Sequence, residues 1–353
     1  CLTTLIMEDI FGFGKVLPID KLLDLVAKSV GKLSKSYFDR KDIDTKGYEI
    51  EVLAKARAKE LQIISLAVKN NSKLTGGIEY KDEKFAVSSP NESGNNGDDL
   101  SLKHLSIEER ATDRIAYQNA KQQLNIESVT AYAAEQLQDE PPVTDENPEE
   151  DWAARFFKIV EDISNEEMQA LWGKILAGEI KQPKTYSLRT LELIRNLSKH
   201  EADVFTKIAN FALKAGENNY IFASDRTKVL EKHNVGYGDI ALLTEIGLLQ
   251  PGAFVHFQIQ PQPSNAQQIF ASGKIIIFVN VKANTPIVRI PVHVFSNAGN
   301  ELLKLIDVTA NMEYLKAFAD EVKSDQVEVK YSYITGYEDK VIHYRNPILD
   351  FTN

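Results

Sequence analysis

Tyr237-Gly238-Asp239-Ile240-Ala241-Leu242-Leu243-Thr244-Glu245-Ile246-Gly247, followed by Phe254-Val255-His256-Phe257-Gln258-Ile259, decides how the C-terminal part of this chain is read. The first run has helical spacing, and Gly247 stands where a helix can end in a left-handed residue. The second alternates with the two-residue period of a strand. A weaker helical pattern covers Asp225 to His233. A second alternating run covers Lys274 to Val281, beyond a polar loop of Pro, Ser, Asn and Gln. Two helices, a glycine and a long hairpin, in that order, predict a winged-helix-like module. A third strand over Ile287–Phe295, helices near Asn300–Ile306 and Met312–Val322, and strands at Val327–Ile334 and Lys340–Tyr344 complete an α+β domain over 216–353.

Upstream, the spacing predicts a compact central helical bundle over 151–215. Trp152, Phe156, Val160 and Ile163 share one face of a helix that Asn147 caps and Pro148 begins. The next helix, capped by Ser164 through Glu167, carries Met168, Leu171, Trp172, Ile175 and Leu176 and stops at Gly178. A third spans Ser187–Leu197, and a fourth begins at the capping box Ser198-Lys199-His200-Glu201. Residues 139–150 are acidic and broken by Pro141, Pro142 and Pro148, which predicts an extended, solvated linker.

The N-terminal part, residues 7–138, reads as a long helical hairpin. Helical patterns cover Pro18–Leu33, Asp42–Lys69 and, from the capping box Ser106-Ile107-Glu108-Glu109, the stretch to Gln138. The two longer ones would measure about 40 and 50 Å. Between them, 70–105 is rich in Gly, Ser and Asn and is expected to be a mobile loop with a short strand near Phe85-Ala86-Val87. The fold class expected is therefore mainly α with a C-terminal α+β part. The six residues before Met7 read as a scar, with the leading cysteine of a lipoprotein as the alternative.

Composition excludes several classes. The chain has 353 residues, is 43% hydrophobic and 26% charged, and carries a formal charge of −10, so whole-chain disorder and wholesale coating of nucleic acid are both excluded. One cysteine cannot form an internal disulfide, and a reducing cytoplasm is the expected compartment. No apolar run approaches the roughly 18 residues of a membrane span.

Catalytic patterns fail on spacing. His200-Glu201 begins like a zinc-protease helix, but Val204 occupies the second histidine position. Gly12-Phe13-Gly14-Lys15 runs into Val16 and lacks the hydroxyl of a phosphate-binding loop. Ser296-Asn297-Ala298-Gly299 lacks the glycine that precedes a nucleophile-elbow serine. The six histidines have no metal-ligand spacing, and no cofactor is expected. The acidic cluster Asp145, Glu146, Glu149, Glu150 and Asp151 reads as helix-cap chemistry, with a cation site as the alternative. Trp152, Phe156 and Trp172 read as core, with a ligand box as the alternative.

A winged helix reading DNA would place 237–246 in the major groove, but those residues include two acids and no Lys or Arg. Arg226, Lys228 and Lys232 form only a thin basic fringe, so weak nucleic-acid binding is the expectation. Helix 18–33 has an apolar stripe and several lysines, but Asp20 and Asp24 dilute the charge that membrane contact requires.

The order Asp151-Trp152, Phe156, Asp162-Ile163-Ser164, Met168, Trp172, Gly178, then Tyr186-Ser187-Leu188-Arg189, closely resembles the bacterial domain-of-unknown-function family 2806. The resemblance extends more loosely to the N-terminal helices and to Phe295–Leu302 and brings no established activity with it; the motif residues are expected to be structural. A looser similarity of layout links the chain to abortive-infection alpha proteins, which implies a role in defence against phage. The function expected is that of a non-enzymatic, cytoplasmic interaction or sensor protein that forms homo-oligomers through its N-terminal helices and meets an unidentified protein partner. The alternatives are a winged-helix DNA-binding regulator and a cryptic hydrolase.

Overall fold

The computed structural model describes residues 15–30, 77–81, 84–88, 107–252, 255–338 and 341–351. They belong to two compact units that divide between Lys181 and Gln182.

In the first unit, strand β1 (Lys15–Val16) leads into helix α1 (Pro18–Ser29), shorter than the sequence pattern. A separate hairpin pairs β2 (Gly77–Lys81) with β3 (Lys84–Ser88), where a loop with one short strand was expected. The pattern over 42–69 and the cap at Ser106 lie outside the described residues. Helix α2 (Ile107–Leu137) is the long helix expected there. After it, β4 (Val143–Thr144) pairs antiparallel with β1, so the acidic segment is extended but anchored.

Helix α3 (Glu150–Val160) starts later than its sequence caps suggest: Glu149 takes the N-cap position, and Pro148 is buried just before it. Helix α4 (Glu166–Lys181) is capped by Asn165 rather than Ser164, because the Asn165 Oδ1 accepts from the Met168 N–H at 3.0 Å. It also runs through Gly178 to Lys181. Where α4 crosses α2, a Cβ on Gly173 would lie 2.4 Å from the Tyr132 Cβ and 3.1 Å from the Ala133 nitrogen. Only glycine permits that approach. The apolar faces of α1, α3 and α4 meet here, with Leu22, Val26, Phe156, Val160, Trp172 and Leu176 all but excluded from solvent.

The second unit overturns the expected fold class. Its centre is a nine-stranded, wholly antiparallel sheet, not a helical core followed by a winged helix. Helices α5 (Leu188–Asn196) and α6 (Lys199–Ala209) begin at Ser187 and Ser198 as expected, the second with both halves of its capping box formed. The chain then makes an unforeseen hairpin of β5 (Ala212–Ala215) and β6 (Asn218–Phe222). Gly216, at φ +62°, takes the first of the two turn residues, the place a tight hairpin turn reserves for glycine.

Helices α7 (Val229–Lys232) and α8 (Tyr237–Glu245) follow, and Gly247 at φ +81° closes the second. The expected long hairpin does not form. Strand β7 (Val255–Ile259) pairs with β10 (Val288–Val294). The polar loop instead contains β8 (Ala266–Ser272), which turns at Gly273 to pair with β9 (Ile275–Val281). A Cβ on Gly273 would lie 2.5 Å from the Val308 carbonyl oxygen, a second reason for glycine at that turn.

Helices α9 (Asn297–Leu303) and α10 (Met312–Val322) precede β11 (Val327–Glu338), β12 (Val341–Tyr344) and β13 (Leu349–Asp350). The strand order is β12-β11-β9-β8-β5-β6-β10-β7, with β13 also on β11. On a flat sheet β7 and β8 would lie about 19 Å apart, four strand spacings. The rings of Phe257 on β7 and Phe270 on β8 are instead 5.0 Å apart, so the sheet curls. Helix α10 packs in that curl: Phe318 meets Phe222 at 5.5 Å and Phe270 at 5.3 Å.

Candidate functional site

The motif of the first unit is a packing centre built by α2, α3 and α4. Trp152 stacks on Phe156 at 5.0 Å, and Phe156 meets the edge of Trp172 at 5.6 Å. Trp152 is 4% exposed and Phe156 and Trp172 are 0%, so these rings are core, as their helical spacing implies. The Trp172 Nε1–H is buried and has no hydrogen-bond partner among the described residues.

Beside the rings lies a polar network that no sequence pattern announced. The Ser128 hydroxyl donates to the Gln169 Oε1 at 2.8 Å. The Gln169 amide nitrogen donates to the Ile163 carbonyl at 2.9 Å and to the Asn125 Oδ1 at 3.3 Å. The Asn125 amide in turn donates to the Glu161 carbonyl at 2.6 Å and to the Ser164 Oγ at 3.3 Å. Asn125, Ser128 and Gln169 are each buried, and together they satisfy the backbone of the turn between α3 and α4. Asp162 and Ser164 sit exposed on that turn, and Asp151 lies exposed in the first turn of α3. Met168 and Gly178 are half-buried.

A second unannounced group is Lys21 on α1. Its ammonium donates to the Ile180 carbonyl at 2.9 Å and to the Thr144 carbonyl at 3.2 Å. Burial holds its pKa below the ordinary lysine value, against the opposing pull of Glu146, Asp145 and Glu179. The lysine thus joins α1, β4 and the end of α4, where a cation also suits the helix dipole.

The remaining motif residues lie in the second unit. Tyr186 is buried, with the Lys304 ammonium 6.0 Å from its ring centre, and Arg189 is exposed. The Ser187 N–H donates to a Glu301 carboxylate oxygen at 2.7 Å, tying the start of α5 to α9.

Of the basic fringe, Arg226 is held by an acid. Arg226 donates through Nε to a Glu321 carboxylate oxygen at 2.8 Å, which also accepts from the Ser224 hydroxyl at 3.1 Å. Lys228, at φ +47°, stands at the N-cap of α7, and Lys232 ends that helix. On α8, burial raises the Asp239 pKa, but the Lys207 ammonium at 2.8 Å and the Gly236 N–H at 3.2 Å hold it below the ordinary value. That pair fastens α6 to α8.

Burial lowers the pKa of the His293 imidazole on β10, which favours its neutral form. Among the described residues, no group of three or more His, Cys, Asp or Glu side chains has the arrangement of a metal site. No described helix is long and apolar enough to cross a membrane.

Neither the curated proteins nor the solved structures include a match to this chain. A family model described as "Protein of unknown function (DUF2806)" matches residues 109–319, which is more than half of the chain. That span begins in α2 and ends in α10, and it takes in the aromatic centre, the Asn125–Gln169 network and most of the curled sheet. The chain therefore belongs to the DUF2806 family.

Proposed function

We propose that this chain is a non-enzymatic interaction or sensor protein that assembles through its N-terminal third and acts in defence against phage. The observation that carries the assembly reading is the change of exposure along α2. Its second half is core, with Leu124, Ile126, Val129, Ala133 and Leu137 buried, while Ile115 in its first half is 51% exposed. Leu17 and Leu23 add 51% and 40% exposed side chains in the same unit. Large apolar groups left in water favour a partner surface, and a second copy is the commonest partner.

Removing residues 1–138 is not a usable test, because α2 supplies part of the core. Replacing Leu23 and Ile115 together by Glu leaves that core intact. Light scattering on the intact and altered chains is expected to show a smaller subunit number for the altered one. An unchanged subunit number removes this surface from assembly. The defence role rests on a resemblance of layout to abortive-infection alpha proteins that is read from the sequence alone. It is tested by phage plating on host cells with and without the gene, where protection by the gene supports it and equal plating contradicts it.

A further inference from the structure

Between Glu245 and Lys274 the sequence contains no Asp, Glu, Lys or Arg, in a chain of which 26% is charged. This stretch includes all of β7 and β8. Among the described residues, strand β7 ends the strand order on one side and has β10 as its one pairing partner.

The direction of each backbone group on β7 follows from its partner. The Pro291 carbonyl accepts from the Ala223 N–H at 3.1 Å, so Pro291 faces the β6 side. In an antiparallel ladder the N–H and C=O of one residue point the same way, and the direction alternates along the strand. Val288, Ile290 and Val292 therefore face β7, where they stand opposite Ile259, Phe257 and Val255. His256 and Gln258 therefore turn their N–H and C=O away from β10, and among the described residues no backbone hydrogen bond reaches them. Both side chains are exposed, and Val255 is 37% exposed.

Native edges of this kind are usually blunted by lysine, proline, a bulge or a covering element. β7 consists of Val, His, Phe, Gln and Ile, in unbroken register with β10. We propose that this edge pairs with the same edge of a second copy, antiparallel across a twofold axis, so that the two sheets run on as one. With Phe257 on the axis, His256 of one copy stands opposite the partner's Gln258. Both residues have outward backbone groups, so each such pair can exchange two N–H···O bonds. Val255 stands opposite the partner's Ile259.

The choice of a second copy follows from charge and symmetry. A chain carrying −10 repels its own copies over much of its surface, and this neutral stretch is where two copies approach without that cost. A twofold contact must be self-complementary, which the placement of His256 and Gln258 satisfies. This surface lies in the second unit and is separate from the N-terminal surface proposed above.

The test uses the intact chain and two double variants, His256→Lys with Gln258→Lys, and His256→Glu with Gln258→Glu. The β7–β10 bonds come from Val255, Phe257 and Ile259, so neither variant alters the sheet itself. Sedimentation equilibrium is expected to show association weakened at least tenfold in each variant. An equimolar mixture should recover it, because lysines then face glutamates. Hydrogen exchange on the unaltered chain is a check free of substitutions: the His256 and Gln258 amides should exchange more slowly as concentration rises. Association equal in all three chains, no recovery on mixing, or exchange independent of concentration overturns the proposal. The Leu23→Glu/Ile115→Glu chain in the same assay separates the two surfaces. Assembly lost there but intact in the β7 variants sinks this proposal alone, and the converse sinks the N-terminal reading alone.

Discussion

Tyr314 is fully buried on α10, and its hydroxyl oxygen accepts from the Phe222 N–H of β6 at 2.6 Å. Its ring also meets Phe211 at 5.1 Å, so one side chain joins the helix to both the sheet and the end of α6. Tyr314→Phe keeps the ring but leaves a buried N–H unpaired, and denaturant unfolding should show a loss of about 1–3 kcal/mol. Burial raises the pKa of this phenol well above the ordinary tyrosine value of about 10. The folded state then keeps a proton that the unfolded state releases, so this contribution is full below about pH 10 and falls as pH rises beyond it. The alkaline loss should be smaller in Tyr314→Phe; an identical pH profile in the two chains contradicts this role. Nothing in the sequence marks Tyr314, because a tyrosine at helical spacing reads as one more apolar residue. The same holds for Asn125, Ser128, Gln169 and Lys21. Polar residues in core positions break the binary pattern, and their partners are distant in sequence.

At the scale of elements, the joint between β1, β4 and α1 depends on Lys21. Residues 139–147 are mostly exposed, yet Val143 and Thr144 are paired and the Thr144 carbonyl is held by the lysine. Proteolysis needs the chain to leave such pairing, so Lys21→Ala should accelerate cleavage within 139–147 several-fold over the intact chain. Equal rates contradict an anchoring role for Lys21. Helices with a clear stripe and a side-chain cap, such as α5 and α6, were legible in the sequence to within a residue or two. The β5–β6 hairpin was not, because Ala212-Leu213-Lys214-Ala215 are good helix formers and continue the pattern of α6. β8 was hidden by Gln267 and Gln268, which make its first half look like loop. The missing strand led to the wrong pairing for β7, and from that to the winged helix. Tertiary pairing overrode local propensity in both cases.

For the whole molecule, charge and surface chemistry set the expectations. The overall charge is −10, α8 has no Lys or Arg, and Arg226 is engaged by Glu321. Duplex DNA should therefore bind weakly and without sequence preference at physiological salt, and replacing Arg226 and Lys228 by Glu should change a gel-shift assay little. Tight binding to one sequence, lost in that variant, contradicts this. The aromatic centre was legible because its residues recur at fixed spacing along helices, and the family because its motif residues carry the resemblance. The exposed surfaces were not, since exposure depends on which faces the fold leaves uncovered. Self-association is the property on which the functional reading rests. The most direct measurement of it is the mass of the intact chain by light scattering across the micromolar range. A dimer or larger species that gains mass with concentration is the expected result; a constant monomer mass over the whole range contradicts it.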